Sequence, residues 1–162
     1  MAVVLVEGIT DRLALEAVAE RLALDLDGIE IVPIGGAQAI RRAAAQYDGE
    51  RVVGLCDAGE ERYFRRVLGD ATYVCDKDLE DELIRALGAD RVQEVVAAQG
   101  ELETFRNFQN QLFWRGKPVE AQLRRWLQNG GRYLRYPPLL VGTLEPDEIP
   151  RPLAGVLTQA AF

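Results

Sequence analysis

Four short apolar runs, each followed by a segment of helical periodicity, constrain the fold of this chain more than any other feature. Residues 2–6, 29–34, 51–56 and 72–75 read as strands, and 10–24, 37–46, 60–68 and 79–87 read as the helices between and after them. Strands that alternate with helices pair in parallel through right-handed crossovers. Strands such as Val3-Val4-Leu5-Val6 and Val52-Val53-Gly54-Leu55-Cys56 lack polar alternation, as expected where a sheet is covered on both faces. In the first helix Thr10 is the expected N-cap, and Leu13, Ala14, Ala17, Val18 and Leu22 form the expected buried stripe.

After Gly88 the pattern changes. Segments near 90–99, 101–112, 118–128, 132–143 and 150–159 are helical, separated by Gly100, Gly116-Lys117-Pro118, Asn129-Gly130-Gly131 and the Pro146 to Pro150 region. The expected organisation is an α/β core over 1–88, a parallel four-stranded sheet flanked by helices. An all-helical extension over 89–162 packs on it.

Two of the apolar runs end in carboxylates. Val3–Val6 runs into Glu7-Gly8-Ile9-Thr10-Asp11, and Val52–Cys56 runs into Asp57-Ala58-Gly59-Glu60. The fourth run is followed by Asp76-Lys77-Asp78-Leu79-Glu80-Asp81-Glu82, where Asp78 is a candidate N-cap and Glu80 the residue expected to face the strand ends. Ligand sites in parallel sheets lie beyond the carboxyl ends of the strands. Acidic side chains gathered there repel one another, and a hard divalent cation relieves the repulsion. Glu7, Asp11, Asp57, Asp78 and Glu80, with Glu60 as a further candidate, suffice for one or two Mg²⁺ or Mn²⁺ ions, which suit phosphodiester chemistry.

Composition excludes alternatives. The chain has no histidine, so there is no Ser-His-Asp or Cys-His nucleophile pair and no His-liganded zinc. Two cysteines, Cys56 and Cys75, are too few for a structural zinc site and read as small buried residues of a reducing, cytoplasmic setting. No glycine-rich phosphate loop ending in Lys-Ser or Lys-Thr is present, and no apolar run approaches the roughly 18 residues of a membrane span. A dinucleotide-binding turn would read Gly-x-Gly-x-x-Gly where this chain places carboxylates.

The net charge of −7 is unevenly distributed. Residues 1–100 hold 11 basic and 20 acidic side chains, whereas 101–136 hold 7 basic and 3 acidic. Arg115, Lys117, Arg124, Arg125, Arg132 and Arg135 from that basic stretch are the candidate contacts for a nucleic-acid backbone.

These motifs resemble a Toprim domain, in particular that of the OLD (overcoming lysogenization defect) nucleases and of stand-alone bacterial OLD-like Toprim proteins. The resemblance rests on Glu7-Gly8-Ile9-Thr10-Asp11, Ile34-Gly35-Gly36 and Leu79-Glu80-Asp81-Glu82. It extends to Phe105–Gln109, Trp114-Arg115-Gly116 and Gln122–Arg125. It implies a Rossmann-like Toprim fold and a DNA endonuclease of nickase type, with Glu7, Asp11, Asp57 and Glu80 at the catalytic metal ions and an ATPase subunit supplied in trans. Two positions depart from the family pattern. Gly59 stands where the second aspartate of Asp-x-Asp is expected, and Gly131-Arg132-Tyr133-Leu134-Arg135 has no lysine where OLD nucleases carry one. The alternative reading is a catalytically degenerate Toprim module that binds metal or nucleic acid, as an adaptor to a separate ATPase.

Overall fold

A computed structural model describes all residues, Met1–Phe162. Four parallel strands, β1 (Ala2–Val6), β2 (Ile29–Pro33), β3 (Arg51–Asp57) and β4 (Thr72–Cys75), form one sheet in the order β2-β1-β3-β4. Register is continuous, with Val6 beside Pro33 and Leu55 and Asp57 beside Cys75. β1 is therefore central, and all five of its residues are buried.

The two faces of the sheet are covered by different helices. Val3, Leu5 and Cys56 meet Ala37, Ile40 and Phe64, the last two from α2 (Ile40–Ala45) and α3 (Glu61–Leu68). On the opposite face Val4, Val6, Val53, Leu55 and Cys75 belong to a larger core. It takes in α1 (Ile9–Arg21), α4 (Leu79–Leu87), α5 (Ala89–Ala98), α6 (Leu102–Gln109), α7 (Val119–Leu127), α8 (Arg132–Thr143) and α9 (Arg151–Ala161). No helix is long and apolar enough to cross a membrane.

Several local expectations need correction. The chain enters α1 at Ile9, with Gly8 as N-cap, because the Asp11 carboxylate accepts the Gly8 N–H at 3.0 Å and closes the turn before Thr10. The buried stripe of α1 is Ala14, Leu15, Val18 and Ala19, since this helix packs on α8 as well as on the sheet. The second and third helices begin as short 3-10 turns at Ala37–Ala39 and Ala58–Glu60. Both cysteines are buried and free, on opposite faces of the sheet.

Aromatic packing orders the helical layer. Trp126 is 1% exposed and sits edge-on between Phe105, at 5.4 Å between ring centroids, and Tyr136, at 5.6 Å. Trp114 is half-buried against Phe108, at 5.2 Å. Trp126 thus packs between helices, and Trp114 packs from the following turn onto α6.

Candidate metal centre

Each acidic side chain of the cleft is placed by a strand end or a helix start. Glu7 leaves β1, and its Oε1 accepts the backbone N–H of Asp57 at 2.8 Å, which ties the exit of β1 to the exit of β3. Asp11 is fixed by the Gly8 N–H, in the first turn of α1 where the helix dipole favours negative charge. Asp57 is the last residue of β3. Glu80 comes from the first turn of α4 and is 8% exposed.

Glu7, Asp11, Asp57 and Glu80 line one cleft of about 360 Å³ together with Gly8, Thr10, Gly35, Gly36 and Leu79. No Lys or Arg lines it. Burial, followed by repulsion from Glu7, Asp11, Asp78 and Glu80, pushes the Asp57 carboxyl up to about 8. Asp11 is raised to about 7, again by burial first and then by Glu7 and Glu80, despite its bond from Gly8. Glu7 and Glu80 are raised as well, both through burial first. Four carboxylates are thus crowded in a space from which water is partly withdrawn, with Arg124, which lies outside the lining, offsetting only part of the charge at Glu80.

That donor set fits a hard divalent cation, which takes carboxylate oxygens and needs no imidazole or thiolate. The four carboxylates line one cleft, but no three of them stand close enough together to form a preformed ligand shell. An ion held by these residues would require their carboxylates to move closer together than they stand here.

Asp78 has a different surrounding. Its Oδ1 accepts the Asp81 N–H at 2.9 Å as the N-cap of α4. Its Oδ2 accepts from Arg124 Nη2 at 2.5 Å, Arg124 Nε at 2.8 Å and Gln128 Nε2 at 3.0 Å. Gln128 also reaches Glu80 at 3.5 Å. Arg124, in the last turn of α7, and Gln128, its C-cap, together hold the acidic loop. Glu60 lines an adjoining cavity and not the acidic cleft, although its charge still raises Glu7.

The basic stretch is largely occupied within the protein. Arg124 is paired with Asp78, and Arg135 Nη2 with Glu101 Oε1 at 2.5 Å. Arg132 donates to the Trp126 carbonyl and lies over its ring at 4.2 Å. Arg115 donates to the Asn110 carbonyl, and Lys117 covers Phe113 at 4.4 Å. Of the six, Arg125 alone has neither hydrogen bond, ion pair nor aromatic partner. Sequence reasoning missed Gln128, whose only signal is its spacing of four residues from Arg124.

Comparison with known proteins agrees with this frame. Residues 1–50 match the family model described as overcoming lysogenization defect protein-like, TOPRIM domain. Two solved structures share the fold over 99% of the chain. One is the C-terminal region of the Burkholderia pseudomallei OLD protein, at TM-score 0.73 and 18% identity over 96% of that chain. The other is the C-terminal region of the Xanthomonas campestris pv. campestris OLD protein, at TM-score 0.72 and 23% identity over 91% of that chain. No curated protein matches in sequence. The chain has the α/β fold of an OLD-like Toprim domain, helical extension included.

Proposed function

We propose that the protein is a metal-dependent phosphodiesterase acting on DNA, with the acidic cleft as its centre. The observation that carries this reading is that Glu7, Asp11, Asp57 and Glu80 line one cleft with no Lys or Arg among its walls, where burial and mutual repulsion raise Asp11 to about 7 and Asp57 to about 8. Mg²⁺ or Mn²⁺, one ion or two, would be held by these four carboxylates and would supply Lewis acidity toward the phosphate and the attacking water.

The chain's own residues provide orientation. The Asp57 N–H fixes Glu7, the Gly8 N–H fixes Asp11, and Gln128 steadies Glu80. Asp78, bonded to Arg124, Gln128 and the Asp81 N–H, serves to set the loop. With Asp11 raised to about 7 and Asp57 to about 8, the cleft also offers proton acceptors close to the reacting phosphate, and catalysis without histidine becomes feasible. An ATP-hydrolysing partner in trans is part of the same proposal.

A specific observation favours a second reading, a Toprim module that binds metal and DNA without cutting. Gly59 supplies no carboxylate, and Glu60, the nearest substitute, lies on the neighbouring cavity.

The test is cleavage of supercoiled plasmid in Mg²⁺, Mn²⁺ or EDTA, with Glu7→Ala and Asp57→Ala as comparisons. We expect nicked circles with either metal and none with EDTA. Each substitution should slow the reaction by about 100-fold or more, the scale set by losing charge stabilisation of a transition state. Metal binding by calorimetry without any nicking would select the second reading.

A further inference from the structure

A second cavity, of about 830 Å³, adjoins the acidic cleft and shares Gly35 and Gly36 with it. Its remaining walls are Ala37, Gln38, Ala39, Arg41, Arg42, Ala45 and Glu60. Ala37, Gln38 and Ala39 come from the 3-10 turn that follows Gly36, and Arg41, Arg42 and Ala45 from α2.

Arg41 and Arg42 are both exposed, and neither makes a hydrogen bond or an ion pair, not even with Glu60 across the cavity. This sets them apart from Arg124, Arg132 and Arg135, whose guanidinium groups are already bonded within the protein. The divide between the two cavities is bare backbone. Gly35 has φ +79° and Gly36 φ +125°, values that side-chain-bearing residues rarely adopt, and a side chain at either would project into open space. The two cavities therefore meet at this turn, with four carboxylates on one side and Arg41, Arg42 and Glu60 on the other.

A polyanion cannot lie along an acidic cleft unless positive charge beside it offsets the repulsion. We propose that Arg41 and Arg42 form the backbone-binding subsite for the nucleic-acid strand leaving the acidic centre, crossing over the Gly35-Gly36 turn. This rests on the reading of the acidic cleft as a phosphodiester site. The strand is gripped through its phosphates, so the subsite reads no sequence.

The test uses the full chain and a fluorescein-labelled 20-nucleotide single strand, followed by anisotropy at several salt concentrations. A duplex of the same sequence is run in parallel, and Mn²⁺ affinity is measured separately. For Arg41→Gln/Arg42→Gln we expect affinity for the labelled strand to fall at least tenfold, with Mn²⁺ affinity unchanged. The slope of log K against log salt should become shallower by about 1.5, the loss of two phosphate contacts. Both arginines are exposed and unpaired, so thermal melting should match wild type.

Unchanged DNA affinity and slope in this variant would overturn the proposal. So would a wild-type protein that binds neither DNA form, or a comparable loss appearing only in Arg115→Gln/Lys117→Gln. Failure of the underlying reading looks different: Glu7→Ala would leave Mn²⁺ binding intact, whatever Arg41 and Arg42 do to DNA.

Discussion

At the scale of single residues, Asp57 concentrates the electrostatic cost of the cleft. Burial, with repulsion from Glu7, Asp11, Asp78 and Glu80, pushes its carboxyl up to about 8, against about 4 for an aspartate in an unfolded chain. The folded state therefore holds the proton more tightly than the unfolded one. The contribution of Asp57 and Asp11 to stability is most favourable below about pH 4 and declines as pH rises toward 8, where they ionise against Glu7 and Glu80. Asp57→Asn removes one of these charges, so without metal the variant should be more stable than wild type at pH 8.5. The gain expected is on the order of 1–2 kcal/mol, and the two should converge near pH 4. Added Mg²⁺ at pH 8 should raise the melting temperature of wild type more than that of the variant. Urea denaturation across this range decides the matter, and a wild-type stability flat between pH 5 and pH 8 would refute the account.

At the scale of elements, the placement of α9 on the sheet depends on a missing side chain. A Cβ built at Gly155 would stand 2.5 Å from Tyr73 Cε1 on β4, so this glycine lets helix and strand approach. Gly155→Ala should lower stability by about 1–3 kcal/mol through overpacking. Gly142→Ala, in α8 where a Cβ meets nothing within 4 Å, should raise it by about 0.5–1 kcal/mol. Opposite shifts in melting temperature are the expected signature, and shifts of the same sign would disprove the packing argument. These two glycines also mark where the sequence stops being legible. β4 at Thr72–Cys75 and α8 at Arg132–Thr143 coincide with the sequence reading, because apolar runs, glycines and periodicity are local signals. The Tyr73–Gly155 approach and the Arg124–Asp78 pair, 46 residues apart, have no local signal. The carboxylates that line the cleft were legible because each ends a strand or starts a helix. The intramolecular bonds of Arg124, Arg132 and Arg135 were not, since charge density along a chain says nothing about partners across it. Arg41 and Arg42, outside the basic stretch, drew no notice for the same reason.

At the scale of the whole molecule, the change of pattern at Gly88 is a change of secondary structure, and we expect it not to be a boundary of cooperativity. Val4, Val53 and Leu55 of the sheet share one continuous core with Ala14 and Val18 of α1, Tyr136, Leu140 and Val141 of α8, and Val156 and Leu157 of α9. A chain ending at residue 88 would keep α2 and α3 on one face but would lose α8 and α9 from the other. The apolar surface left in water there would cost about 25 cal/mol for each Å², against the 5–15 kcal/mol by which a domain of this size is ordinarily stable. The fragment 1–88 should therefore bind a hydrophobic dye and unfold without a cooperative transition. The intact chain should unfold in a single step, and Trp126, buried among Phe105 and Tyr136 in the helical layer, reports on that step independently of the sheet. Trp fluorescence and far-ultraviolet dichroism should then give superimposable urea curves. A fluorescence midpoint well below the dichroism midpoint would mean that the helical layer melts alone. The acidic cleft would then be less tightly organised than its bonds suggest, because Arg124 and Gln128, which hold Asp78 and Glu80, belong to that layer.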